Sequence, residues 1–288
     1  MKKRVFLLGN PDGIYVRQLL QTAPTWLEVA PLRYEELMTS LASPGDHSGF
    51  AKYPVYAEDV VLVRSMGKGS LESVVFRMDC LAAMEMQGTQ VLNPAKALEA
   101  AIDKYLALFR LGNAGLPVPP THVSQTLEQA MAGWAILGED VVVKPIFGSE
   151  GRGLIRVADE DHAYRVFKSL VDLQSVIYQQ KFLGRECRDL RVLIIADDHW
   201  SMERQAEDWR KNLARGGRPV AFQASSELVQ MARQAMEVLG LTMAGVDFLE
   251  TPGGQTYLIE VNGVPGWNGI EELYSVSIAQ KVWSLLER

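Results

Sequence analysis

The chain has 288 residues, more than one small domain needs, and this length suits two or three subdomains around a shared cleft. Its 48% hydrophobic and 22% charged residues are those of an ordinary globular protein, and a formal charge of −6 excludes a general nucleic-acid-binding surface. Two cysteines, Cys80 and Cys187, build neither a disulfide framework nor a metal knuckle, and no apolar run reaches membrane-span length; both point to a cytoplasmic protein without a membrane partner.

Met1-Lys2-Lys3-Arg4 before Val5 to Leu8 imitates a signal peptide, but the apolar run is too short and Asn10-Pro11-Asp12-Gly13 ends it. Val5 to Gly9 reads as a buried strand, Tyr15 to Leu20 as a helix, Glu58 to Arg64 as a strand ending at a charge, Leu71 to Gln87 as a helix and Val91-Leu92 as a short strand. Strands alternating with helices predict a parallel α/β layer over residues 1–95. Gly9 to Gly13 is not a GxGxxG fingerprint, so no dinucleotide site is expected there.

Ala95 to Leu111 has the spacing of one helix, stopped by Gly115-Leu116-Pro117. Asp140 to Pro145 is strand-like, Leu154 to Val157 resumes a strand, Asp159 to Leu170 is helical and Ser175 to Phe182 is another strand, giving a second unit over 96–186. Asp189 to Ile195, His199 to Gln205, Gly245 to Leu249 and Tyr257 to Val261 predict a second sheet over 187–288, covered by a helix from Ser226 to Leu239 that Gly240 ends.

Three features carry chemistry. Asp247 sits in one apolar strand, and Glu260 and Asn262 end another; the turn Thr251 to Gly254 would join them as a hairpin. Taken singly, an acid in a strand is an ordinary edge or surface residue. Two apolar strands that each bury an acid beside a Gly-rich stretch need a partner or a metal, and oxygen ligands of this kind suit Mg2+. Second, Phe147 to Gly153 places three glycines between two strands, where backbone N–H groups can converge on an anion, with Lys144 at the end of the preceding strand. Lys104, on spacing alone, reads as a solvated surface charge. Third, Arg188, Arg191, Arg204, Arg210 and Arg215 crowd around Asp189, Gln205 and Asn212 in an acidic protein, as an anionic substrate would require.

Six ordered blocks then resemble the ATP-grasp superfamily, specifically the RimK-type α-L-glutamate ligases: Asp103-Lys104, Val143-Lys144-Pro145 with Gly148 to Gly153, Asp189-Leu190-Arg191, Arg210-Lys211-Asn212 with Gly216-Gly217, Gly245-Val246-Asp247, and Glu260-Val261-Asn262 with Pro265-Gly266. The resemblance covers nearly the whole chain. It implies a mixed α/β ATP-grasp fold of three subdomains with ATP between the central and C-terminal sheets. It puts Lys104 and Lys144 on the phosphates and makes Gly148, Ser149, Glu150, Gly151 and Gly153 part of a closing lid. Adenine lies along Gln180, Lys181, Phe182 and Leu183, with Asp189 also at the nucleotide. Asp247, Glu260 and Asn262 hold two Mg2+ ions, with Mn2+ able to substitute.

The implied activity is an ADP-forming ligation. ATP activates a carboxylate as an acylphosphate, and an amine, here L-glutamate, displaces phosphate. Arg191, Arg204 and Arg210 are expected to hold the acylphosphate or substrate carboxylates, and Arg188, Asn212 and Arg215 to bind substrate. The acceptor is a cofactor tail (pterin, furan or deazaflavin) or a protein C-terminus, and a homo-oligomer is compatible with this reading. The chain departs from many relatives at Gln180-Lys181, where an acid is common, and at Glu203, where lysine is common. Two other readings stay open: a ligase for another amino acid or amine, and a nucleotide-binding module without turnover, against which the complete Asp247, Glu260 and Asn262 set argues.

Overall fold

A computed structural model describes residues 2–41, 48–67, 69–148, 153–211, 213 and 216–287. The elements in chain order begin with β1 (Lys3–Leu8), α1 (Ile14–Gln21), β2 (Leu27–Leu32), β3 (Leu37–Met38), β4 (Gly49–Phe50), β5 (Val60–Val63), α2 (Leu71–Met86) and β6 (Gln90–Leu92). Four of these strands form a sheet in the order β2-β1-β5-β6, parallel throughout. Val5, Leu7, Val60, Val61 and Val63 are fully buried, as strands covered on both faces must be.

Next come α3 (Ala95–Ile102), α4 (Lys104–Asn113), β7 (Thr121–Ser124), α5 (Leu127–Ile136), β8 (Val141–Lys144), β9 (Ile155–Val157), α6 (Glu160–Asp172) and β10 (Ile177–Lys181). The single helix expected over Ala95 to Leu111 is therefore two. Asp103 breaks it: at φ −88° and ψ 102° it leaves the helical region, and its carboxylate accepts the Leu106 N–H at 2.9 Å, capping α4. The break turns Lys104, the first residue of α4, toward the β8 sheet. The strands β7-β10-β8-β9 form an antiparallel sheet backed by α5 and α6 through Trp134, Ala163 and Phe167.

The last elements are β11 (Arg188–Ile195), β12 (Asp198–Gln205), β13 (Arg218–Ala221), α7 (Ser226–Leu239), β14 (Met243–Glu250), β15 (Thr256–Asn262), α8 (Asn268–Tyr274) and α9 (Ile278–Trp283). Their sheet is antiparallel, in the order β13-β12-β11-β14-β15. Gly240 ends α7 at φ +75°, a left-handed value that suits glycine. The helices α3 and α4 share a core with α7 and this sheet. Trp267 and Trp283, both buried, join the other face of the sheet to α1 and the parallel sheet.

Asn93 ties two sheets together. Fully buried after β6, its amide nitrogen donates to the Met243 and Gly263 carbonyls at 2.7 and 2.6 Å. Its amide oxygen accepts from the Thr242 N–H, the Thr242 hydroxyl and the Met243 N–H at 2.7, 2.7 and 3.0 Å. One side chain thus fixes the start of β14 and the loop after β15. Among the described residues, no helix is long and apolar enough to cross a membrane.

Candidate active site

The expected hairpin is present. Asp247 on β14 pairs in register with Glu260 on β15, and the ladder shifts immediately after Asp247, so that Phe248 pairs with Leu258. A bulge of this kind re-aims side chains, and here it falls beside both acids. Asp247 is buried; Arg191 Nε and Nη2 grip its two oxygens at 2.6 and 2.8 Å, and Arg204 Nη2 reaches Oδ2 at 3.1 Å. Burial opposes its charge, but Arg191 and Arg204 outweigh burial and hold its carboxyl below the usual range. Asp189 takes Arg204 Nε and Nη2 at 2.8 and 2.5 Å, yet burial pushes its carboxyl up. Arg191 and Arg204 are thus not free cations; they neutralise two buried acids.

Glu260 faces a different cation. Lys104 Nζ lies 3.5 Å from its Oε1 and donates to the Gly148 carbonyl. Only 13% of the Lys104 side chain is exposed, so it is not the solvated surface charge that its spacing suggests. Lys144, at the end of β8, donates to Gln180 Oε1 at 2.5 Å, and burial lowers its ammonium to about 8. Gln180 in turn donates to the Thr121 hydroxyl at 3.1 Å. Two lysines therefore converge from α4 and β8 on the side of the cleft facing the β14–β15 acids.

The cleft holds about 1060 Å³ of empty space, open solvent included. Lys104, Lys144, Gly148, Gln180, Lys181, Phe182, Leu183, Asp189, Arg204, Arg210, Asp247 and Glu260 all line it. Trp209, which sequence reasoning missed, also lines it, as does Lys211, which the Arg210-Lys211-Asn212 block contains but to which no role was assigned. Trp209 packs edge-on to Phe182 at 5.7 Å, and Lys211 donates to the Cys187 carbonyl at 2.6 Å. The signal for Trp209 was an aromatic directly before the Arg210 block, but no periodicity marks such loop positions. Gly153 follows at φ +74°. Ser149, Glu150, Gly151, Asn212 and Arg215 lie outside the described residues.

Arg188 is turned elsewhere, to Glu203 at 2.8 Å and Glu250 at 3.0 Å. Arg210 sits on Asp208 at 2.7 Å, with its guanidinium 5.4 Å from the Trp209 ring. The Asn262 side-chain oxygen accepts the Val264 N–H at 3.0 Å, folding back on its own loop.

The donor set fits a nucleotide with Mg2+. A carboxylate offers about four lone-pair positions. Asp247 uses three for guanidinium contacts, whereas Glu260, among the described residues, has only the long Lys104 contact. Among the described residues no three His, Cys, Asp or Glu side chains form a metal cluster. Such a pair of acids would share the ion with phosphate oxygens, as Mg2+ commonly binds.

The comparisons with known proteins agree. The model of the RimK-like ATP-grasp domain matches residues 101–286. A tetrahydromethanopterin:α-L-glutamate ligase of Methanosarcina acetivorans is 29% identical over an alignment covering 100% of this chain and 99% of that protein. A ligase of the same name from Methanococcus maripaludis is 33% identical, with 76% of each chain covered. Among solved structures, the ATP-grasp ligase PsnB complexed with minimal precursor superposes with a TM-score of 0.76 at 21% identity, covering 100% of this chain and 99% of that one. The chain belongs to the RimK-like ATP-grasp family and is an ATP-dependent ligase of the ATP-grasp fold.

Proposed function

We propose that the chain joins the amine of L-glutamate to a carboxylate of a cofactor tail, with ATP converted to ADP and phosphate. The observation that carries this reading is the placement of Asp247 and Glu260, register partners on one sheet, against Lys104 and Lys144 from another part of the fold. Similarity along the full chain to the tetrahydromethanopterin:α-L-glutamate ligase of Methanosarcina acetivorans supports both the amine and a cofactor acceptor over a protein C-terminus.

Lys104 and Lys144 hold the ATP phosphates, and the Gln180 to Leu183 segment at the end of β10 meets the adenine. Asp247, Glu260 and Asn262 hold two Mg2+ ions. Mg2+, when bound, neutralises charge on the transferring phosphoryl group. The acceptor carboxylate attacks the γ-phosphorus and ADP leaves. The glutamate amine then attacks the acyl carbon, and phosphate departs with the bond electrons. No protein nucleophile is needed; the chain orients both substrates and excludes water. Arg204 and Arg210, with Arg191 behind Asp247, stabilise the acylphosphate and substrate carboxylates, and Asn212 and Arg215 contribute to substrate binding.

ADP release with a panel of amino acids, in the presence of a small-molecule extract as acceptor source, tests this reading. Preference for L-glutamate is expected; preference for alanine or lysine would overturn it.

A further inference from the structure

The parallel sheet has its own crevice. β2 lies on one side of β1, and β5 and β6 lie on the other, so the chain changes sides between β1 and β5. Ligands of open parallel sheets bind outside the carboxyl ends of the strands at such a point. Gly9 follows β1 here, and Arg64-Ser65 follow β5. A side chain at Gly9 would start 3.2 Å from Ser65 Oγ, so the two strand ends touch.

Arg64 is 5% exposed. Its Nη2 donates to the Pro265 carbonyl at 2.8 Å, while Nε and Nη1 have no partner among the described residues. Its guanidinium stacks 4.3 Å from the Trp267 ring centre and lies 5.7 Å from that of Tyr15. No carboxylate pairs with it among the described residues. Arg204, equally buried, shows the contrast: it meets both Asp189 and Asp247. A desolvated guanidinium with donors unmatched is costly, and a fold that keeps one needs a reason. Burial lowers Arg64 to about 10, consistent with a cation that still lacks its counter-charge.

The position ties this group to the ligase centre. Pro265, which Arg64 holds, belongs to the loop that follows Glu260 and Asn262. Its Cβ lies 3.3 Å from where a side chain at Gly245 would begin, and Arg191 Nε lies 3.5 Å from the same point. Arg191 in turn grips Asp247. The arginine at the crevice and the acids of the cleft are thus separated by one loop.

We propose that Arg64 anchors a subsite for a substrate carboxylate at the β1–β5 crevice, reached by displacing the Tyr15 ring. The proposal rests on the ligase reading. Nε and Nη1 donate to the carboxylate, and Trp267 keeps the guanidinium stacked. The carboxylate comes either from the incoming amino acid or from the acceptor.

Calorimetric titration of the full chain with ADP and Mg2+ present separates these sources. L-Glutamate is one probe, and N-acetyl-L-glutamate, whose amine is blocked, stands in for an acceptor. Arg64→Met keeps the apolar stack and removes the donors. At least tenfold weaker binding of L-glutamate to the variant assigns the subsite to the amino acid; the same loss for N-acetyl-L-glutamate alone assigns it to the acceptor. Binding of both probes within twofold of the unaltered chain overturns the subsite while leaving the ligase reading intact. Binding of neither probe to the unaltered chain overturns both. Should Arg64→Met fail to fold, a crystal structure of the unaltered chain soaked with both probes decides. A carboxylate within hydrogen-bond reach of Nε or Nη1 supports the subsite, and water alone there overturns it.

Discussion

Asp247 and Glu260 stand opposite each other across β14 and β15, yet they are neutralised from different directions. Asp247 is gripped from its own sheet by Arg191 and Arg204, and Glu260 is approached from α4 by Lys104. The two acids therefore differ in what each contributes without ligand, and substitution should separate those contributions.

Asp247→Asn removes a charge from a buried network and leaves Arg191 and Arg204 short of a counter-ion. Breaking one partner of such a buried pair costs about 3 kcal/mol. Glu260→Gln breaks only a long, partly exposed contact, worth about 1 kcal/mol or less. Melting curves without ligand should show a clear loss for Asp247→Asn and almost none for Glu260→Gln. Turnover should fall in both, by roughly 100-fold or more, since each change weakens stabilisation of developing charge. A Glu260→Gln variant that melts early yet turns over normally per folded molecule would mark Glu260 as a structural acid.

Lys144 sets a pH dependence. Burial lowers its ammonium from the ordinary 10.5 to about 8. Between those values the unfolded chain binds the proton that the folded chain has released, so this group makes stability rise with pH from about 8 to 10.5. Below about 8 the folded chain bears the full cost of a buried ammonium. Lys144→Met should therefore be more stable than the unaltered chain at pH 7, with the gap closing by pH 10, roughly the range set by linkage. Denaturant midpoints across that range check it. Phosphates restore the charge, so ADP binding near pH 9 should take up protons, roughly one per site. Calorimetry in buffers of different ionisation enthalpy reads that uptake, and none at pH 9 would contradict the placement.

Asn93 offers a structural test at a distance from the chemistry. Asn93→Ala leaves five hydrogen bonds unmade around Thr242, Met243 and Gly263, three of them fully buried. A loss of about 3 kcal/mol or more is expected from the unpaired buried groups. Because Asn93 also holds the loop after Asn262, ADP affinity should fall further than stability alone explains. Unchanged affinity at full folding would show that the loop is held without it.

The parts of this site that sequence made legible are those built from neighbours. Two apolar runs separated by Thr251-Pro252-Gly253-Gly254 could pair only as a hairpin, and that hairpin fixed Asp247 opposite Glu260. The alternation of strands and helices before residue 95 likewise described the parallel sheet, although β2 went unread. Charge pairing was not legible. The arginines looked like a free basic cluster, but Arg191 and Asp247 lie 56 positions apart, and only folding makes them partners. Asn93 and Thr242 are 149 positions apart. Arg64 read merely as the charge that ends a strand. Its burial depends on Pro265 and Trp267, about 200 residues downstream, which no local pattern reveals. The spacing of Lys104 alone suggested a surface charge for a related reason: the break at Asp103, a local capping choice, decides where it points.

The central claim is that this ATP-dependent ligase adds L-glutamate to a carboxylate-bearing cofactor. The most direct measurement incubates the full chain with ATP, Mg2+, L-glutamate and pterin, furan and deazaflavin cofactors, and follows their masses beside ADP. The account predicts that one cofactor gains the mass of one or more glutamyl residues, in step with ADP release and lost in Glu260→Gln. ADP release that leaves every cofactor mass unchanged, while a protein C-terminus or another amine product gains mass instead, would contradict it.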